Sequence, residues 1–402
     1  MSEVISLRSI TSKIGSGATP KGGNTVYENS GIAFIRSQNV LDMSFSNQNL
    51  AYITNEQANK LNNVIVENND ILLNITGDSI ARCTIVPDEL LPARVNQHVS
   101  IIRCISPDYA NYVCYYLQFL KPYLLQICKV GGTRNALTKE AIANLPIVIQ
   151  KEYKKIGKLL STIDQKIALN NQINEELEAM AKTLYDYWFV QFDFPDENGK
   201  PYKSSGGKMV YNDQLKREIP EGWGVKQLGE VSICHDSRRV PLSSKDRENK
   251  NGIIPYYGAT GIMDYIDDFI FEGDYILMAE DGSVMTSEGK PILQRITGKT
   301  WVNNHAHVLE PTNEYSCKLL LLSLKDISVL QIKTGSIQMK ITQENMNKIL
   351  LPDIGRDLLS KINEVLLPID EKQLKLLKQN QELTQLRDWL LPMLMNGQVK
   401  VD

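Results

Sequence analysis

The stretch "VNQH", residues 95–98, returns 207 residues later as "VNNH", residues 302–305. Whether that echo is chance decides how the chain is organised, and its surroundings show that it is not. Upstream, "NNDILLNITGDS" (68–79) corresponds to "EGDYILMAEDGS" (272–283) at an offset of 204, each an apolar run closed by a polar, Gly-containing turn. Downstream, Thr138-x-Glu140 falls on Thr342-x-Glu344, again 204 apart, within "GGTRNALTKEAIANLPIVI" and "TGSIQMKITQENMNKILLPDI". Further on, "IDQKIALNNQINEEL" (163–177) and "IDEKQLKLLKQNQEL" (369–383) correspond at 206. A period of about 200 residues is too long for a solenoid and suits one domain plus an appendage. The chain reads as a duplication of domains.

Composition fits two such cores, with 42% hydrophobic residues over 402 positions. "MSEVISLRSITSK" lacks the charged-then-apolar pattern of a leader, and the longest apolar run, "KLLLLSL", is far shorter than a membrane span. A cytoplasmic protein is expected. Six cysteines (Cys83, Cys104, Cys114, Cys128, Cys234, Cys317) occur without a CxxC and read as reduced, half-buried apolar residues. His305-x-His307 would share one face of a strand, but no nearby Cys or third His completes a metal site, so no metal is expected. Net charge is −3, from 44 basic and 47 acidic residues. That argues weakly against a nucleic-acid partner, because phosphate contact needs only a local stripe of Lys and Arg.

Residues 1–150 show short β-type runs, "GIAFIRSQNV", "NLAYIT", "DILLNIT", "CTIVP" and "HVSIIRCI", separated by Gly, Asn, Asp and Pro turns. One helix interrupts them, "SPDYANYVCYYLQFLKPYLLQIC", with a kink or break expected before Pro122. Residues 223–355 repeat the order, with "GIIPYYGATG", "DYIDDFIFEGDYILMA", "HAHVLEP" and the helix "SCKLLLLSLKDISVLQI".

After each globule come interleaved heptad rows. Ile156, Ile163, Asn170, Leu177 and Leu184 form one, and Leu160, Ile167, Asn174, Ala181 and Trp188 the other. In the second copy they are Ile362, Ile369, Leu376, Leu383 and Leu390, then Leu366, Gln373, Asn380, Arg387 and Leu394. About 33 residues at 1.5 Å rise make a helix of roughly 50 Å, longer than packing on one small globule requires, so helix-to-helix pairing is expected. The first helix (151–192) leads from globule 1 to globule 2. If the copies are equivalent, the second (356–402) runs back, and the two pair antiparallel about a pseudo-twofold axis. The stretch between, 193–222, is rich in Pro, Gly and charge and reads as an exposed linker. The expected fold is therefore α+β: two strand-rich domains joined by two long helices forming an antiparallel coiled coil.

Two similar but non-identical globules on a spacer have the geometry of a protein reading two half-sites on a duplex. The order of "SGATPKGG", "NNDILLNITGDSIARC", "ARVNQHVSIIR" and "GGTRNALTKEAIANLPI", then a long helix, then the same again, resembles the specificity subunit of type I restriction-modification enzymes over nearly the whole chain. The resemblance implies two target-recognition domains and two helical regions that set their spacing. It also implies docking of two methyltransferase subunits and, through them, of ATP-driven restriction and translocase subunits. S-adenosylmethionine, ATP and Mg would then sit on the partners, and this chain would bind double-stranded DNA without catalysing anything. One departure is that "CHDSRRVPLSS" stands in copy 2 where copy 1 has "GSGATPKGG".

Base readout favours Arg or Lys for guanine and Asn or Gln for adenine, carried on loops at strand ends. Copy 1 offers Lys21, Arg36, Gln38, Asn39, Asn74, Asp78, Ser79, Arg82, Asn96, Gln97, Arg134 and Asn135. Copy 2 offers Arg238, Arg239, Tyr256, Tyr257, Glu280, Ser283, Asn303, Asn304, Lys333, Ser336, Gln338 and Lys340. Asn96 and Asn303 recur in both, which suits a shared turn or a phosphate contact better than base choice. Tyr187, Trp188, Phe189, Trp389, Leu390 and Leu394 lie at equivalent helix ends and are the expected docking surface for the methyltransferase. The Asp/Asn-Pro-Pro-aromatic loop of an amino-methyltransferase is absent, since the chain has no Pro-Pro, and no Gly-x4-Gly-Lys-Ser/Thr motif is present for ATP. The other reading is a coiled-coil scaffold that pairs two proteins and binds no DNA.

Overall fold

The computed structural model describes residues 3–131, 136–312, 314–335 and 339–401. The chain divides into two compact units, residues 1–172 with 377–402, and residues 173–376. Both cuts fall inside long helices, Tyr153–Tyr185 and Arg356–Met395. Each unit thus contains one globule and a stretch of each helix.

In the first unit, strands Thr11–Ser16, Val99–Cys104, Ile71–Asn74 and Cys83–Ile85 form an antiparallel sheet in that order. The run "ILL" is apolar throughout because the strand is buried on both faces. Ile71 and Leu73 point into one core and Leu72 into another, following the two-residue period of a strand. A second sheet, in the order Ala51–Ile53, Ile32–Ile35, Ala93–Val95, Ile65–Val66, contains one parallel pair, Ile32–Ile35 with Ala93–Val95. Helix Pro107–Phe119 is capped by the Ser106 hydroxyl, which accepts from Tyr109 N. The expected break before Pro122 is present, the helix restarting as Lys121–Ile127.

The second unit repeats the plan in a six-stranded sheet: Ser232–Cys234, Ala306–Pro311, Phe271–Ala279, Leu293–Val302, Asn251–Tyr257 and Ile262–Ile266. Asn251–Tyr257 and Leu293–Val302 are again parallel. Ile276 and Met278 face one core, Tyr275 and Leu277 the other. Helix Cys317–Lys325 is capped by Ser316. Thr138 and Thr342 cap corresponding short helices, each hydroxyl accepting from the backbone three residues on. At the turn, however, Ile75 N donates to His98 O and Glu280 N to His305 O, both at 2.9 Å. The structural offset there is 205, one residue away from the sequence correspondence. Gly298-Lys299-Thr300 lies within a strand, with Leu at position 293, and offers no phosphate loop.

Every predicted heptad position is buried or half-buried. In the first unit the numbering along the two helices runs in opposite senses. Gln150 Nε2 reaches Met395 O at 3.0 Å, Arg387 meets Asp164 at 2.7 Å and Asn170 Nδ2 donates to Asn380 Oδ1 at 2.8 Å. Asn380 in turn donates to Asn171 Oδ1 at 2.7 Å, so the amides of Asn170, Asn171 and Asn380 link the two helices in one register. In the second unit Gln373 donates to Asn174 O at 3.0 Å.

The stretch expected as an exposed linker is largely exposed, but it is ordered. Phe192 and Phe194 are buried, Phe194 stacks on Trp223 and Tyr202, and Asp193 accepts from Ser204 N at 2.7 Å. Met209–Asn212 then pairs with Arg217–Pro220. Four aromatic residues, Phe192, Phe194, Tyr202 and Trp223, spaced among polar ones bury enough apolar surface to order a Pro- and Gly-rich segment. No helix among the described residues is long and apolar enough to cross a membrane.

Candidate nucleic-acid interface

The repeated "VN-x-H" builds the same latch twice. Asn96 Oδ1 accepts from His98 N at 3.1 Å, and Asn303 Oδ1 from His305 N at 2.8 Å. Both Asn side chains are buried. Each His then reaches the turn that closes the central strand: His98 Nδ1 lies 2.6 Å from Thr76 Oγ1, and His305 Nδ1 2.7 Å from Asp281. The backbone is common, and the partner of the imidazole differs.

Around the first latch is a cleft of about 840 Å³, which brings Gln38, Asp78, Ser79 and Arg82 together with Thr76 and His98. Thr76 and His98 were not anticipated, because the side chain that binds the His stands some twenty residues away in sequence. Lys21 and Gln97 are exposed, and Gln97 contacts Thr19 and His98. Arg36 donates to Asn49 O at 2.5 Å and lies over the Tyr27 ring.

Asn39 and Asn74 are corrected to framework. Both are fully buried; Asn39 Nδ2 donates to Ser46 O at 2.9 Å, and Asn74 Nδ2 to Ser37 O at 2.8 Å. A fully buried amide whose nitrogen is spent on loop carbonyls holds the loop and presents no accessible edge to a base. Arg134 and Asn135 lie outside the described residues.

In the second unit Arg239 does not stand free. It meets Glu280 at 2.6 Å, Ala306 O at 2.7 Å and Asp236 at 3.2 Å, while Lys340 reaches the other Glu280 oxygen at 2.9 Å. Burial alone would raise the Glu280 carboxyl, but hydrogen bonds from Arg239 and Lys340 outweigh it and hold the group below its ordinary range. Arg239 and Glu280 therefore neutralise one another. Tyr256 is buried, its hydroxyl accepting from Leu242 N at 3.0 Å, and it also belongs to the framework. Arg238, Ser283 and Asn304 are exposed, Tyr257 and Lys333 half-buried. Arg238 covers the Phe271 ring at 4.7 Å. Ser336 and Gln338 lie outside the described residues.

The residues expected to dock a partner separate in the same way. Trp188 and Phe189 are buried in the second unit's core and Leu394 in the first unit's, while Leu390 packs half-buried against the latter. Tyr187 and Trp389 are exposed, Trp389 by 63%. Helix-end aromatics at heptad spacing fill their own unit's core first, and the sequence pattern does not distinguish the two roles.

Two modules on one plan, each with an Asn–His latch at a strand end and a stretch of paired helix, define a protein built by duplication. The type I restriction modification DNA specificity domain matches residues 2–179 and again 220–383, and the chain belongs to that family. It is 29% identical over 277 residues to the type I restriction enzyme MjaIX specificity subunit of Methanocaldococcus jannaschii, covering 64% of this chain and 61% of that protein. It is 23% identical over 337 residues to the HindI specificity subunit of Haemophilus influenzae, covering 67% and 72%. The chain thus spans less than two thirds of the Methanocaldococcus relative. In fold it is similar to the type I restriction-modification S subunit of M. genitalium, with TM-score 0.54 and 15% identity over 98% of this chain and 95% of that one.

Proposed function

We propose that this chain is the DNA-reading subunit of a type I restriction-modification complex. Each unit reads one half of a bipartite target, and the lengths of the heptad-bearing helices set the unspecified pairs between the halves. The observation that carries this reading is one latch built twice with different side chains around it, Thr76 with His98 and Asp281 with His305. A shared frame with altered contacts is what two readers of unlike sequences require, since phosphate contacts position and base contacts specify.

Gln38, Ser79 and Arg82 are the cleft side chains with free chemistry for base edges or phosphates in the first unit. Arg238 and Asn304, both exposed, supply it in the second. Two methyltransferase subunits dock on exposed helix surface that includes Trp389, and restriction subunits join through them. Catalysis, S-adenosylmethionine, ATP and Mg belong to those partners. Exchanging residues 1–150 for the first globule of another family member tests the reading. It should alter one half of the methylated target and leave the other half and the spacer as they were. A change in both halves contradicts it.

A further inference from the structure

Strand Ser232–Cys234 pairs with Ala306–Pro311, and the chain turns at His235 so that Asp236 Oδ1 accepts from Val308 N at 3.1 Å. This corner brings a thiol, a carboxylate and an imidazole together: Cys234 Sγ, an Asp236 oxygen and a His307 ring nitrogen lie within 4.8 Å of one another. His307 is 1% exposed. Its Nε2 lies 2.8 Å from Ile341 O, and because a carbonyl only accepts, Nε2 carries hydrogen and Nδ1 is the nitrogen presented to Asp236 Oδ2 at 2.5 Å. At that distance a proton or a metal ion lies between the two atoms. Glu280 stands 3.8 Å from the same nitrogen.

We propose that Cys234, Asp236 and His307 form a site for one divalent cation of the zinc class, with Glu280 or solvent in the fourth position. The donor set of one sulfur, one nitrogen and one carboxylate oxygen suits a tetrahedral borderline cation. The Ile341 carbonyl and the Val308 N–H are the supporting partners that such ligands need to be aimed. Bonds of about 2.0–2.3 Å place tetrahedral donors somewhat over 3 Å apart, so the His307–Asp236 contact opens by about 1 Å. Arg239 beside Asp236 is no obstacle. The cation replaces two protons, one from the thiol and one between His307 and Asp236, and the charge that faces the guanidinium is unchanged. In the first unit Ser100 takes the strand position of His307, after Val99 as His307 follows Ala306, so one cation per chain is expected. Bound there, it ties strand Ser232–Cys234 and the turn after it to His307 of strand Ala306–Pro311.

The full chain, stripped with chelator, is titrated with Co2+ and then Zn2+. One Co2+ per chain should bind with a thiolate-to-cobalt charge-transfer band and tetrahedral d–d bands, and Zn2+ should displace it. Cys234→Ser and His307→Gln should weaken binding by more than the about 10–100-fold that losing a supporting partner costs, while Cys317→Ser binds as before. Absence of the bands, or their retention in Cys234→Ser, overturns the proposal. Alkylation of the unaltered chain decides the matter even if the variants do not fold. Zn2+ should slow modification of Cys234 and not of Cys104, and equal rates with and without Zn2+ overturn the site.

Discussion

Arg387 occupies a heptad position where an apolar residue is the usual choice, and replacing it with Met tests how the first unit is held together. Its guanidinium meets Asp164 at 2.7 Å, and the Tyr115 hydroxyl donates to the other Asp164 oxygen at 2.5 Å. Three helices therefore converge on one carboxylate. The Arg387 and Asp164 side chains are only 17% and 18% exposed. Breaking a buried pair by removing one partner costs about 3–5 kcal/mol, because the other charge stays desolvated. With a fifth of this pair still wet and Tyr115 still donating, the expected loss is about 2–3 kcal/mol. For a unit of about 200 residues, each kcal/mol moves Tm by roughly 2–4 °C, so Arg387→Met should lower the first unit's transition by about 5–10 °C in calorimetry of the full chain. Adding Asp164→Leu should restore much of the loss, since an apolar pair of similar volume is tolerated where a lone charge is not. A single variant within about 0.5 kcal/mol of the parent, or a double variant as unstable as the sum of the singles, refutes the reasoning.

Trp188→Ala should destabilise the second unit by about 3–5 kcal/mol, as a buried aromatic does, whereas Trp389→Ala should leave unfolding unchanged and weaken co-purification with the methyltransferase. Burial alone would raise Glu178, but hydrogen bonds from Lys318 and Lys325 outweigh it and hold its carboxyl at about 2, below its ordinary 4.5. A lowered carboxyl stabilises above its ordinary value and loses that stability as pH falls through the window from 4.5 to about 2. After discount for its partial exposure, Glu178→Gln should cost about 1–2 kcal/mol at neutral pH and nothing near pH 2, measured by urea unfolding across that range. Arg82→Ala should weaken binding to duplexes carrying the first half-site and reduce the salt slope by about one, and an unchanged slope would remove Arg82 from the interface.

The duplication and the helical seam were legible because both rest on periodicity, and heptad rows keep their meaning wherever the helix lies. Even Arg387 and Gln373, polar residues in those rows, are half-buried where the spacing puts them. The turn after the central strand was misaligned by one residue, since a strand run gives no marker for where pairing ends. Asn39, Asn74 and Tyr256 looked like readers because amides and hydroxyls serve loops and bases alike. Their burial depends on partners such as Ser46 and Leu242 that no local pattern reveals. Phe192, Phe194 and Trp223 were hidden by the charge and glycine around them, and Cys234 by its distance of 73 residues from His307.

The most direct test of two readers in one chain is the methylome of a host that carries this chain with its cognate methyltransferase. A bipartite motif of two unlike half-sites, each of about three to five base pairs and centred about one helical turn apart, is the predicted result. A contiguous or palindromic methylated motif would contradict it.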